Sequence, residues 1–270
     1  MVKKLLKYEF IYYARSIGLF LPIVPVIGLM TRVFRFFDNG NILTGIALGS
    51  SALFLVVACI ALIMMSTVIG IIRFYKNLYS AEGYLTFTLP VTNAQHIFVK
   101  LFVSLVCQTV CLLTVVLSAV IALSGKPLSD LILTLKFAGV AFPLPHGKVH
   151  MALFCLEFAL YMLVSAVSGM LLYYACITIG QTAKKNRILM AVVTYFIYYA
   201  ISQVIGTVFS MVVMVFSLSG SLGDIMVWIE RNPVPILHVF LFLAILTSAA
   251  FGAVCWVVTQ RIMSRRLNLE

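Results

Sequence analysis

The chain of 270 residues is organised by six long apolar runs that are separated by shorter polar segments. Most of these runs exceed the roughly 20 residues that a helix needs to cross the hydrocarbon core of a bilayer. A transmembrane barrel would instead show alternating runs of about ten residues. The pattern therefore predicts an all-α polytopic membrane protein. Its six transmembrane helices are expected at approximately residues 17–34, 42–72, 98–124, 151–180, 188–216 and 236–259.

The first apolar run is shorter than the others and contains Pro22 and Pro25, which remove backbone donors and predict a kink. For this run, hydropathy also allows a helix that lies on the membrane surface. Residues 1–15, which precede it, have the pattern of an amphipathic helix in the headgroup plane, or else of an ordinary basic flank of a first span. One face carries Val2, Leu5, Leu6, Phe10 and Tyr13, and the other carries Lys3, Lys4 and Lys7.

Composition and charge agree with this fold class. Hydrophobic residues make up 63% of the chain and charged residues 10%, with a mean hydropathy of +1.13, far from the usage of soluble domains. Most of the 19 lysines and arginines fall on one side of the predicted membrane, which places both termini in the cytosol. The other side, with outer segments at 125–150 and 217–235, carries Arg32, Arg35, Lys126, Lys136, Lys148 and Arg231. The net charge of +11 thus reflects topology and attraction to lipid headgroups, and not binding of nucleic acid.

The segment 73–97, between the second and third spans, is the longest cytosolic segment and is rich in aromatic residues. Aromatic side chains on the water side of a membrane are expected to lie against lipid or against a partner protein. Pro90 interrupts the segment, and Thr92 with Gln95 forms a capping-box pattern, so a new helix should begin there and run into the third span. The aromatic residues of the segment are Phe74, Tyr75, Tyr79, Tyr84 and Phe87.

Motifs for enzyme chemistry are absent from the sequence. It contains no phosphate-binding G-x-x-x-x-G-K-[ST], no H-E-x-x-H and no G-x-S-x-G. All six cysteines fall in apolar runs. Cys107 and Cys111 lie one helical turn apart but have no nearby histidine or acid, so they are interpreted as packing residues. We therefore expect neither catalytic residues nor a metal site in this chain.

Two further features have alternative interpretations. Glu157 lies within the fourth apolar run, about two turns from its outer end; it could line a substrate path with Gln203, or it could pair with an outer cation such as Lys148. Small residues four positions apart let two helices approach closely, either within one chain or between two copies. Such pairs are Gly45 with Gly49 and Ser165 with Gly169.

The loop at 75–92 reads YKNLYSAEGYLTFTLPVT and is followed by Lys100. This sequence resembles the corresponding loop of bacterial ABC exporter permeases of the type-2 class. In that family, the third span begins with a Leu-Pro-Val-Ser/Thr motif that is followed by a lysine about eight residues later. The six spans, inward termini, amphipathic entry helix and outer helical element are also similar. The likeness therefore covers nearly the whole chain, and the loop is its specific part.

The resemblance implies a single permease domain over 1–270 in the bacterial cytoplasmic membrane, paired with a second permease protomer. A separate ABC ATPase subunit would bind ATP and Mg, and this chain would bind no cofactor. The cytosolic coupling segment would hold a coupling helix at 77–89 that contacts the ATPase and drives export of an amphipathic or hydrophobic peptide, drug or lipid. The implied contact residues are Asn77, Leu78, Tyr79, Glu82, Gly83, Tyr84, Leu85, Phe87 and Leu89.

The outer segment 125–150 is longer than this family leads us to expect. Two other functions are kept as alternatives. An ion-coupled secondary transporter should show paired intramembrane charges and broken helices, whereas a membrane scaffold or sensor would transport nothing.

Overall fold

A computed structural model describes residues 2–37, 40–80, 83, 92–124, 148–183, 185–218 and 233–265. These residues are almost entirely helical. The helices are α1 (Val2–Ile17), α2 (Ile23–Phe36), α3 (Ile42–Tyr79), α4 (Asn93–Leu123), α5 (Lys148–Gly180), α6 (Arg187–Leu218) and α7 (Pro233–Arg265).

Among the described residues, five helices are long and apolar enough to cross a bilayer. This confirms the prediction of a helical, multi-pass membrane protein, whereas the count of six spans stays a prediction. The five candidate spans are Ile42–Tyr79, Asn93–Leu123, His150–Gly180, Arg187–Phe216 and Val234–Ser264.

The predicted first span is divided between two helices. α1 ends at Ile17, a turn follows at 18–22, and α2 begins at Ile23. The two prolines start a helix and do not kink one: Pro22 occupies the N-cap of α2 and Pro25 lies in its first turn, where the backbone N–H groups have no intrahelical partner to lose. α1 is helical, as its pattern predicts, and its place in the headgroup plane stays a prediction.

Both helices that flank the segment predicted to be cytosolic extend further into it than the spans predicted at 42–72 and 98–124. α3 continues to Tyr79, and α4 begins at Asn93. The capping box at the start of α4 is confirmed. The Gln95 backbone N–H donates to Thr92 Oγ1 at 3.4 Å, and the Thr92 backbone N–H donates to Gln95 Oε1 at 3.1 Å. These bonds satisfy two donors that the first helical turn would otherwise leave unpaired.

The helices form two compact units, α1–α4 and α5–α7. In the first unit, α2 packs against both α3 and α4. Gly28 allows the close approach to α4, because a Cβ atom there would lie 2.9 Å from the Ser118 carbonyl oxygen. At the end of α2, the Arg35 guanidinium donates to the carbonyl of Ala122 in α4.

In the second unit, α5 packs along α7 and also against α6. α5 and α6 are joined by a short turn in which Asn186 has a φ of 57°, a left-handed conformation that asparagine tolerates better than most residues. Gly180 and Ala191 approach so closely that a Cβ at Gly180 would lie 2.6 Å from the Ala191 nitrogen. The ring of Tyr198 stacks on Phe251 at 5.3 Å, which links α6 to α7.

Candidate functional site

A buried polar cluster joins three helices of the first unit at the ends of α3 and α4 that flank the segment 80–92. Glu9 of α1 stands at its centre, with only 2% of its surface exposed. Its Oε1 accepts hydrogen bonds from Lys100 Nζ at 2.9 Å and from Asn77 Nδ2 at 2.8 Å, and its Oε2 accepts one from Arg73 Nε at 3.0 Å. One carboxylate therefore binds α1 to α3 and to α4 at once.

Two further contacts of α1 surround the Glu9 cluster, which we define as Glu9, Arg73, Asn77 and Lys100. The Arg73 guanidinium lies over the Tyr12 ring, 4.0 Å from its centroid. On the α4 side, the Tyr13 hydroxyl and the Ser104 hydroxyl form a hydrogen bond of 2.6 Å. Consecutive side chains of α1 thus contact α3 and α4 separately, which fixes both the depth and the rotation of this helix.

The electrostatics of the Glu9 cluster favour the ionised carboxylate. Burial on its own raises the pKa of Glu9, but the charges and hydrogen bonds of Lys100 and Arg73 outweigh burial and hold the pKa below its usual range. The cluster contains one anion and two cations, so it carries a net positive charge. Lys100 is 3% exposed, which makes its charge dependent on Glu9 for compensation.

The Glu9 cluster continues directly into the segment that was predicted to contact an ATPase. Asn77 is buried in the cluster, and Leu78 and Phe74 are fully buried beside it. Gly83 is also buried, and its N–H donates to the Ser80 carbonyl at 2.7 Å. The Tyr79 ring is partly exposed and lies edge-on to Phe74 at 6.0 Å. Asn77 and Leu78 thus pack within the unit.

The remaining contact residues, Glu82, Tyr84, Leu85, Phe87 and Leu89, lie outside the described residues. An ATPase contact by any of the nine residues stays a prediction. Because Asn77, Leu78 and Gly83 are buried, a contact in this segment would have to use Tyr79 or the predicted residues that lie outside the described ones.

A second polar contact lies between α5 and α7. Glu157 Oε2 and His238 Nδ1 are 2.6 Å apart, and the His150 ring lies 5.9 Å from the His238 ring. The partner found for Glu157 is therefore a histidine of α7; the side chain of Lys148 lies outside the described residues. Gln203 donates to the Tyr199 hydroxyl at 2.9 Å on its own helix, so a substrate path that involves Glu157 and Gln203 stays a prediction.

The predicted small-residue pairs are not the places where the helices come closest within each unit. A Cβ added at Gly45, Gly49 or Gly169 would meet nothing within 4 Å. The close approach of α5 and α7 is made by Ser168, whose hydroxyl donates to the Ser248 carbonyl at 2.7 Å and lies 2.6 Å from where a Cβ of Gly252 would be. A dimer contact at Gly45 and Gly49 stays a prediction.

Sequence reasoning missed Glu9 and Lys100 as partners. Glu9 is the one acid of α1 and falls between the positions of its apolar face, where an unpaired carboxylate would be costly. Lys100 falls inside the third predicted span, where a lone cation is equally costly. The available sequence signal for such a pair is an acid on the apolar face of one predicted helix together with a base inside another predicted helix.

Within the described residues, no group of three or more histidine, cysteine or acidic side chains is arranged to hold a metal ion. Comparison with known proteins gives no assignment either, since no family model, curated protein or solved structure matches this chain.

Proposed function

We propose that this chain is the membrane-embedded permease subunit of an ATP-driven ABC exporter in the bacterial cytoplasmic membrane. The observation that carries the proposal is the Glu9 cluster, which joins α1, α3 and α4 at the two ends of the segment 80–92. That segment contains the sequence motif that resembles type-2 exporter permeases. A rigid support at both ends of a contact segment is what transmission of a partner's movement requires.

The buried ion pairs make α1 and the adjoining ends of α3 and α4 move together. Removing one partner from a buried ion pair costs about 3–5 kcal/mol, so a force on the segment 80–92 is expected to displace α3 and α4 as one body and not to separate them. α1 would follow, because Glu9 is bonded to both helices. Movement of an ATPase against this segment would thus reach the two spans that it connects.

The other parts of the assembly follow from the same proposal. A separate ATPase subunit would bind ATP and Mg and supply the energy, and a second permease protomer, identical or related, would complete the transport path. The substrate would be amphipathic or hydrophobic, because few charged residues lie within the candidate spans to bind a strongly polar molecule.

A six-span permease requires that α2 cross the membrane with the turn before it. Support comes from the contacts of α1 and α2 with α4. Tyr13 bonds to Ser104, about three turns into α4, and Arg35 bonds to Ala122 at its end. The 18 residues of α4 between these contacts rise about 27 Å, which is close to the roughly 30 Å of a hydrocarbon core.

The test of the proposal is retention of the ATPase. The tagged chain is purified from its native membranes, and the ATP hydrolysis of the co-purified fraction is measured while mass spectrometry identifies the ATPase. We expect Tyr84→Ala with Phe87→Ala to remove the ATPase while leaving membrane insertion intact. Phe240→Ala with Phe242→Ala is the matched control, because both rings are exposed on α7. Equal ATPase activity in the two double variants would refute the proposal.

The second candidate is proton-coupled transport, which the Glu157–His238 contact favours because it pairs two ionisable groups between candidate spans. The two functions separate in sealed vesicles that contain the chain without nucleotide. Transport driven by a pH gradient and lost in Glu157→Gln would support the second candidate, whereas transport that requires both ATP and the ATPase would exclude it.

A further inference from the structure

The orientation of α1 differs from that of a helix that lies in a membrane by its apolar side. Leu5, Leu6 and Phe10 pack against the hydrophobic core of the first unit, and Tyr13 and Ile17 belong to that core. The apolar face that the sequence would turn toward lipid is thus occupied by the protein's own helices. Any contact of α1 with a membrane must use its other face.

That other face is cationic. At 100° per residue, the exposed positions of α1 occupy one continuous arc of about 140°. The cationic face of α1 consists of Lys3, Lys4, Lys7 and Arg15, all exposed. α1 has one acid, Glu9, which is buried and neutralised by Arg73 and Lys100. The exposed face therefore presents four positive charges and no negative charge.

Two of the uncharged side chains on the same arc match a lipid headgroup layer. Tyr8 is 68% exposed and Ile11 is 51% exposed, and both lie among the four cations. Tyrosine is enriched at headgroup depth, and mixtures of basic and apolar side chains are typical of helices at that depth. The exposed apolar residues Leu19 and Phe20 follow shortly after the end of α1. Along the chain, the cationic face is therefore succeeded by exposed apolar side chains.

We propose that the cationic face of α1 binds the phosphate groups of anionic phospholipids in the bilayer that surrounds the protein. The attraction is electrostatic, because the apolar face is already buried in the protein. Anionic lipids would thereby hold α1 in place and, through the Glu9 cluster, the adjoining ends of α3 and α4. This inference does not depend on an ATPase partner.

The experiment measures which lipids the full chain retains. The chain is reconstituted in nanodiscs of equal parts phosphatidylcholine and phosphatidylglycerol, extracted with mild detergent, and its bound lipids are counted by native mass spectrometry. A cation close to an anionic surface strengthens association about fivefold. We therefore expect a clear excess of phosphatidylglycerol on the unchanged chain, and an excess lower by severalfold for Lys4→Gln with Lys7→Gln and Arg15→Gln, which retains only Lys3 on this face.

Three controls make the result decisive. Lys76→Gln with Lys185→Gln and Arg261→Gln removes three exposed cations elsewhere and should keep the excess. The triple variant Lys4→Arg with Lys7→Arg and Arg15→Lys retains the positive charges, so it should also retain the excess of phosphatidylglycerol. On the unchanged chain, which needs no variant to fold, 1 M salt should abolish the excess because the screening length falls to about 3 Å.

Several outcomes would overturn the proposal. One is a lipid ratio that does not change after the α1 substitutions. Another is an equal fall of the phosphatidylglycerol excess in both glutamine triple variants. The third is a phosphatidylglycerol excess that persists in 1 M salt. If the lipid ratio were unchanged, and the α1 triple variant purified from native membranes lacked an acidic protein or RNA that the unchanged chain retains, the cationic face would be assigned to that macromolecule instead.

Discussion

Glu9 determines how α1 is held, because its carboxylate is the common acceptor for side chains of α3 and α4. Its partners Arg73 and Lys100 are 64 and 91 residues away in the chain. No local pattern reports such a contact. The Thr92–Gln95 capping box, by contrast, involves residues three positions apart and could be predicted from sequence, because its chemistry is complete within one helical turn.

The first prediction concerns the charge of Glu9. Glu9→Gln keeps the shape of the side chain but leaves Lys100 buried without its anion, so we expect the free energy of unfolding to fall by about 3–5 kcal/mol. Unfolding by sodium dodecyl sulfate in mixed micelles, followed by circular dichroism, measures the change. Adding Lys100→Met should recover part of the loss, because it removes the buried cation.

The matched control is Lys3→Gln, an exposed substitution on the same helix that should change stability by no more than about 0.5 kcal/mol. If Glu9→Gln were as mild as Lys3→Gln, the Glu9 cluster would not hold α1.

The second prediction is the pH dependence of the same cluster. Lys100 and Arg73 lower the folded pKa of Glu9 below the reference value of 4.5, so the unfolded chain takes up this proton at a higher pH than the folded chain does. The stability contributed by ionised Glu9 is therefore fully present above about pH 4.5 and is lost as the pH falls through the lower folded pKa.

Thermal unfolding of the unchanged chain and of Glu9→Gln from pH 7 to pH 3 checks this sign. The difference in free energy of unfolding should stay constant down to about pH 5 and shrink below it. A difference that vanished near pH 6, or that persisted undiminished at pH 3, would contradict the assignment.

At the scale of elements, helix type and rough position followed from the sequence, whereas helix contacts did not. The long apolar runs and the residues that begin α4 could be predicted from hydropathy and capping. Which small residues lie at a helix contact depends on the rotation of each helix about its axis. Gly45 and Gly49 fit the predicted spacing, yet a Cβ at either would meet open space, whereas Ser168 and Gly252 meet across α5 and α7.

The third prediction tests that α5–α7 contact. In Gly252→Ala, the new Cβ would lie 2.6 Å from Ser168 Oγ, so we expect a loss of about 1–3 kcal/mol from overpacking. Ser168→Ala should restore part of it, because the nearest remaining side-chain atom, the Ser168 Cβ, lies at 3.4 Å. Detergent unfolding of the two single variants and the double variant measures the coupling between the two positions.

Gly45→Ala is the matched control for this prediction, since nothing lies within 4 Å of its Cβ. It should be neutral or stabilising by up to about 1 kcal/mol, because alanine favours a helix more than glycine does. Purely additive effects of Gly252→Ala and Ser168→Ala would show that the two side chains do not collide.

At the scale of the whole molecule, the length of α3 explains why a charged cluster is compatible with a membrane helix. Its 38 residues extend about 57 Å, whereas the hydrocarbon core needs only about 30 Å. Arg73 and Asn77 lie in the last two turns of α3, so the Glu9 cluster can lie beyond the core, where its net charge is hydrated or meets lipid headgroups. The excess of lysine and arginine on that side predicts that this end lies in the cytosol.

The last prediction decides between five and six spans. If α2 crosses the membrane with the turn before it, α1 and Asn41 lie on opposite sides, and α3 runs from the outside at Asn41 to the cytosol at Ser80. In a background with the exposed Cys155 replaced by serine, Asn41→Cys should react with a membrane-impermeant maleimide in intact cells. Ser80→Cys and Lys4→Cys should react only after permeabilisation.

The three labels together distinguish the two topologies. If α2 does not cross the membrane, α3 begins on the same side as α1 and crosses the membrane in the opposite direction. Five spans would place Asn41→Cys on the same side as Lys4→Cys and Ser80→Cys on the opposite side. The contacts of Tyr13 with Ser104 and of Arg35 with Ala122 favour the crossing, since they hold α1 and the end of α2 about 27 Å apart along α4. Protection of Asn41→Cys in intact cells would therefore refute the six-span topology and, with it, the six-span permease.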